Sequence, residues 1–370
     1  MCALLSRTPC RRTERCDAPC YQATGGRPLR ARGIGYDTGF SYGGADRRPF
    51  DETLVRRELQ IIRDALHCNA VRLFGNDLDR LERAAGYAAD LGLEIWLTPW
   101  PYQLNADEML AMFGDAAARA ERLRRRGAEV VMVTGAEISL FDRGFLPGDD
   151  LEQRTRGLIE RRPEALQALR SVPERLSTFL ATAAALVRER FAGRVTYSAV
   201  PYETVDWTPF DIVSLDLHRS KEIAPGYREA VHRLVAQGKP FANTEFGCTT
   251  YRGASGHGAR GSEILEFEGS VPIRVKDGYV RDEGEQAAYL RELLDIFVEE
   301  RVDAAFVCTF VMYGYTHRAD PRRDLDMGSW GIVKPLDGRR GDTYPDMPWE
   351  PKQAFWAVAE RYGRLAGQRT

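Results

Sequence analysis

The chain has 370 residues, 44% of them hydrophobic and 29% charged, with 52 basic against 54 acidic side chains and a formal net charge of −2. This composition can bury a core and is not that of a disordered chain, and α/β barrels run past 200 residues as one domain. The balanced charge and a pI near 6.3 exclude the basic field that nucleic acid or an anionic membrane would require, which leaves a small-molecule substrate as the expected partner.

Residues 1–29 are rich in Arg, Cys and Gly without periodicity and read as an irregular N-terminal arm, with the folded domain over 30–370. Cys2, Cys10, Cys16 and Cys20 lack the C-x₂-C spacing usual for zinc, so no metal is expected there. The opening MCALLSRTPCRR lacks the apolar run of a signal peptide, and no stretch is apolar enough to span a membrane. Cytoplasmic residence is the expectation, with Cys68, Cys248 and Cys308 as reduced, buried thiols.

From Arg32 the chain alternates between strand and helix patterns. GIGYD (33–37) reads as strand one, followed by a helix with Val55, Leu59, Ile62 and Leu66 on one face. NAVRLF (69–74) is strand two, and Leu78, Leu81, Ala85 and Ala88 mark the next helix. LEIWLTPW (93–100) is strand three, and a helix after Asn105 leads to AEVVMVTGAE (128–137) as strand four. A polar stretch and one long helix through Leu166, Leu169, Leu176, Phe179 and Leu180 precede RVTYSAV (194–200) and DIVSLDLH (211–218), strands five and six. A short helix near Ala230, KPFANTEFG (239–247), a helix over 284–300, AAFVCTFV (304–311) and a last helix from about Pro351 complete eight repeats.

Eight alternating units favour a single-domain (β/α)₈ (TIM) barrel. Neither G-x-G-x-x-G nor a P-loop follows strand one, so no dinucleotide or other cofactor is expected. Two long connections, 138 to about 160 and 250 to about 283, follow strands four and seven, on the face where barrels keep their chemistry. The Gly-rich run YRGASGHGARGSE in the second reads as a lid or an irregular surface loop.

Glu137 ends strand four and Glu245 ends strand seven. Two carboxylates on these strands can flank a glycosidic bond, one attacking the anomeric carbon and the other protonating the leaving oxygen, at about 5 to 5.5 Å separation. Around them Asp37, Trp100, Tyr202, His218, Asn243 and Tyr313 fall at or near strand ends, where rings can stack on a sugar and polar groups can bind hydroxyls. Trp207 and Trp330 are weaker candidates, and Asp324 and Asp326 equally fit a solvated loop.

The TEFG of 244–247 resembles the nucleophile strand of clan A glycoside hydrolases, whose acid/base ends strand four, and the 108-residue spacing from Glu137 to Glu245 fits it. NAVRLF is similar to the clan's strand two, which implies that Arg72 holds the nucleophile ionised, and His218 aligns with a tyrosine that touches it. The chain departs at Ala136, where the clan has an asparagine that binds the sugar 2-hydroxyl, so the resemblance implies a 2-deoxy or modified sugar, or a non-sugar. Residues 32 to about 365 also resemble actinobacterial proteins labelled abortive phage infection proteins, a label without chemistry.

Other barrel chemistries fit less well. No histidine precedes His67, against an H-x-H metal site on strand one, and the only lysine in a strand is Lys239, at the start of strand seven, against a Schiff base. A phosphate site in 253–261, a non-glycosidic acid/base enzyme and a non-catalytic binding protein in phage defence remain as alternatives.

Overall fold

Alternating strand and helix patterns give alternating strands and helices. The structure, a computed structural model, describes residues 29–39, 50–269 and 271–367; the four cysteines of the N-terminal arm lie outside them. The elements run β1 (Ala31–Asp37), α1 (Glu52–Asp64), β2 (Ala70–Gly75), α2 (Leu78–Asp90), β3 (Glu94–Pro99), α3 (Ala106–Arg125) and β4 (Val130–Ala136). Then come α4 (Ile138–Phe141), α5 (Leu151–Ile159), α6 (Pro163–Leu169), α7 (Val172–Arg188), β5 (Arg194–Ser198), β6 (Val213–Asp216), α8 (Tyr227–Val235) and β7 (Phe241–Phe246). A hairpin of β8 (Leu265–Glu268) and β9 (Val271–Val275) precedes α9 (Glu283–Glu299) and β10 (Ala304–Val307). The chain continues through β11 (Val333–Pro335) and β12 (Trp349–Pro351) to α10 (Gln353–Gly367).

Eight parallel strands form the sheet β5-β4-β3-β2-β1-β10-β7-β6. The ring closes between β5 and β6, where Ala199 bridges Leu215 and the Asp216 amide donates to Ala199 O at 2.8 Å. This is a (β/α)₈ barrel. Its interior is filled by Ala31, Ala70, Trp96, Val131, Val133, Ile212, Ala242, Ala304 and Phe306. Trp96 and Phe306 span the middle at 4.8 Å between rings, and Gly33 lies opposite Phe306 because a Cβ there would sit 2.3 Å from its ring.

Helix starts follow capping chemistry. Asp51 accepts from the Thr53 and Leu54 amides, Asp77 from those of Asp79 and Arg80, and Asn105 forms a capping box with Glu108. The expected face of α1 is buried at Val55, Leu59 and Ile62, and Leu66 is buried just past its end. The single long helix expected through Leu166 and Leu180 is instead two, α6 and α7. Pro173 is the cause, because it has no N–H to continue the first helix and fits the first turn of the second.

Both long connections are built structures. After β4, the buried Arg154 guanidinium donates to Leu140 O, Phe141 O, Gly148 O and the Gln103 side chain at 2.6 to 3.0 Å. After β7, the Gly-rich run, which the β8–β9 hairpin follows, folds into two 3₁₀ turns rather than an irregular surface loop. The Glu285 carboxylate on α9 holds it by accepting from the Gly253 and Ser255 amides at 2.7 and 2.9 Å. Asp324 and Asp326 are buried, not solvated. Arg281 pairs with both, at 3.1 and 2.9 Å, and the fully buried Lys352 pairs with Asp326 at 2.8 Å. These ion pairs satisfy charges that burial would otherwise leave at high cost.

The opposite end of the barrel is held by charge as well. Arg30 pairs with Glu94 and Asp303, Arg194 pairs with Glu94, and Lys239 donates to the carbonyls of Trp207, Thr208 and Phe210. Lys239 therefore sits far from the C-terminal mouth. No helix among the described residues is long and apolar enough to cross a membrane.

Candidate active site

Two β-bulges build the site. In β4 the pairing with β5 slips between Val133 and Ala136, around Gly135 at φ +85°. Glu137 follows in the left-handed region, φ 48° and ψ 36°, a conformation that costs a non-glycine residue about 1–3 kcal/mol and is found where surrounding contacts enforce it. Those contacts are present. The Glu137 amide donates to Ser198 O at 2.9 Å, the Ile138 amide to the Tyr197 hydroxyl at 2.8 Å, and the Ser139 amide to Glu203 at 3.1 Å. Tyr197 in turn donates to Glu203, which is fully buried. Burial pushes Glu203 up to about 7, with the Ser139 and Tyr197 hydrogen bonds opposing the rise.

The second bulge lies in β7. Its registers with β6 and β10 each contain one extra β7 residue between Asn243 and Phe246. Asn243 and Phe246 face the helices: the Asn243 amide group bonds the Leu217 backbone and the Tyr227 hydroxyl, and Phe246 packs on Phe297 of α9 at 4.9 Å. Thr244 and Glu245 both turn into the barrel. Such a bulge re-aims side chains that a regular strand would alternate. It removes Asn243 from the candidate binding residues, because strict alternation would have kept it on the face of Glu245.

Arg72, on β2, is fully buried and its Nη1 lies 2.5 Å from Glu245 Oε1. Trp100 sits above the guanidinium at 5.3 Å and packs edge-on against Phe74 and Phe141 at 5.4 and 5.2 Å. His218 donates from Nδ1 to Gly247 O at 2.9 Å, since a carbonyl only accepts, which leaves Nε2 3.8 Å from Glu245 Oε2. Burial opposes charge on His218, but Glu245 outweighs it and raises its pKa. Burial would raise Glu245 too, yet Arg72 and His218 hold it well below the usual carboxylate range.

Glu137 lies beside Glu245. One oxygen of Glu137, Asp216 and Glu245 lies within 4.8 Å of the other two. Burial first, then Asp216 and Glu245, push Glu137 well above its ordinary value. The two end-of-strand carboxylates are thus pushed in opposite directions, Glu137 toward the protonated form and Glu245 toward the ionised one. That is the split that acid and nucleophile need.

The remaining predicted residues divide. Tyr202 is half-buried near Glu137, with its hydroxyl 3.1 Å from Ser139 Oγ. The Asp37 carboxylate accepts from the Gly39 amide, closing the turn after β1. Tyr313 gives its hydroxyl to Glu58 on α1, so that group points away from the carboxylate pair. Trp330 lies 6.3 Å from His218, whereas Trp207 packs on Phe210 away from the mouth. Cys68 and Cys248 are buried, but Cys308 is half-buried, within 4.8 Å of His218 and Glu245.

The sequence reading missed Asp216, Glu203 and Cys308. Asp216 was legible: it stands two residues before His218 in the strand expected over 211–218, where residues two apart share a face, although β6 itself ends at Asp216. Among the described residues, His218, Glu245 and Cys308, and Glu137, Asp216 and Glu245, are close enough to hold a cation. Glu245 belongs to both groups, and Arg72 already sets a fixed cation against it.

The barrel is similar in fold to glycoside hydrolases. A GH113 beta-1,4-mannanase superposes with a TM-score of 0.57 at 15% identity, covering 91% of this chain and 99% of that one. A GH113 beta-mannanase from Alicyclobacillus acidocaldarius gives 0.56 at 15% identity, with 91% and 98% covered. A GH2 beta-galacturonidase from Eisenbergiella tayi gives 0.57 at 16%, covering 92% of this chain and 51% of that one. No family model and no curated protein matches the sequence.

Proposed function

We propose that this protein is a retaining glycoside hydrolase acting on a small glycoside or sugar-like metabolite, with Glu245 as nucleophile and Glu137 as acid/base. The observation that carries the reading is the Glu137–Glu245 pair, with oxygens within 4.8 Å and environments that drive their pKa values apart. The likeness in fold to barrels described as a mannanase and a galacturonidase supports a glycoside as the substrate class.

In the first step Glu245 attacks the anomeric carbon as its bond to the leaving oxygen breaks, and Glu137 gives that oxygen its proton. In the second, Glu137 takes a proton from water as the water displaces Glu245 from the sugar. Arg72 keeps Glu245 ionised and fixed; Trp100 and Tyr202 offer ring faces at the mouth. Ala136, buried against Trp100, offers no amide to a 2-hydroxyl, which favours 2-deoxy or 2-modified sugars.

Proton NMR of a turned-over aryl glycoside tests the reaction. The first anomer to appear should have the configuration of the substrate. An inverted first product would contradict the retaining mechanism.

A further inference from the structure

Asp216 has no part in the two-carboxylate scheme, yet it lies within 4.8 Å of both members of it. Its side chain is wholly enclosed, so no substrate touches it. Ser198 donates to Oδ1 at 2.7 Å, and Thr244 completes the hydroxyl chain 2.8 Å from Ser198. Oδ2 is buried without a hydrogen-bond partner. Arg72 Nη1 is 3.9 Å from Asp216 but 2.5 Å from Glu245, so the one guanidinium serves Glu245 first. A buried carboxylate thus lies beneath the site with its charge incompletely compensated.

We propose that Asp216 is a positioning residue for proton transfer, a sealed negative charge that keeps the catalytic proton on Glu137. The proposal rests on the glycosidase reading and deepens it. The groups that face Glu137 are Asp216 from β6, Glu245 from β7, Glu203 and Tyr202 from the turn after β5, and Arg72 from β2. Of these carboxylates, Glu203 is tied up by Tyr197 and the Ser139 amide. Glu245 loses its charge when it is glycosylated. Burial and Glu245 raise Asp216 to about 6 against Arg72, Ser198 and Thr244, so Asp216 carries its charge above that pH, and the repulsion from Glu245 that opposes this charge disappears once Glu245 is an ester. Its field therefore favours acid catalysis in the first step and moves the base catalysis of the second to higher pH.

The test is Asp216→Asn, which keeps the shape and removes the charge. Carboxyl ¹³C NMR of Glu-labelled protein, with Glu137 assigned by the loss of its resonance in Glu137→Gln, reads the titration directly. The Glu137 midpoint should fall by about one to three pH units. The basic limb of kcat/KM on a glycoside with a poor leaving group should fall with it, while a substrate that needs no protonation keeps its limb. A Glu137 midpoint that stays or rises overturns the proposal. If the asparagine variant does not fold, Ser198→Ala serves, since loss of its proton donor raises the Asp216 pKa and should lower the Glu137 midpoint in the same direction. The titration needs no substrate, so failure to turn over any glycoside counts against the hydrolase reading and leaves the midpoint to decide the role of Asp216.

Discussion

Glu245→Ala is expected to abolish turnover of every glycoside, with kcat down by about 10⁴-fold or more, because no covalent intermediate can form. Small anions separate this from a loss of folding. Azide fits the space left by the carboxylate and attacks the anomeric carbon from the same side, so it should restore only an inverted glycosyl azide. The deletion also strips the buried Arg72 of its 2.5 Å partner, but Asp216, 3.9 Å away, remains to compensate the guanidinium. Circular dichroism should therefore show a folded barrel. Turnover at wild-type rate would remove Glu245 from the mechanism.

The effect of Glu137→Ala should depend on the leaving group. A sugar or alkyl alcohol must be protonated as it departs, and its hydrolysis should fall by about 10²- to 10⁴-fold. A nitrophenolate leaves unaided, so the glycosyl-enzyme should still form and then accumulate for want of a base. Azide needs no base, and it should rescue the second step with retention of configuration. The basic limb of the pH profile should vanish, because the group whose deprotonation ends acid catalysis is gone. Equal losses on good and poor leaving groups would contradict this role.

The barrel was legible because its strands and helices repeat with distinct periods and its helix starts carry capping side chains. Strand ends were readable to within a few residues, which sufficed to put Glu137 and Glu245 at the mouth. Face was harder to read than position. Asn243 seemed to share the face of Glu245 because period-two alternation assumes a regular strand, and the extra residue in β7 breaks that rule. Gly135 was a sign of the corresponding bulge in β4. Burial of charge was the other blind spot. Asp324 and Asp326 look like loop residues until Arg281 and Lys352, distant in sequence, close around them. Glu203 likewise gains meaning only when the turn after β5 meets the left-handed turn at Glu137.

The most direct measurement is covalent trapping. An activated 2-deoxy-2-fluoro glycoside slows both steps but speeds the first through its leaving group, so a retaining enzyme accumulates its glycosyl ester. Intact-mass spectrometry of the wild-type chain should show one added sugar, and peptide mapping should place it on Glu245. Glu245→Ala should take up none. An adduct on another residue, or hydrolysis of a glycoside with no trappable ester across a panel of such reagents, would contradict the account.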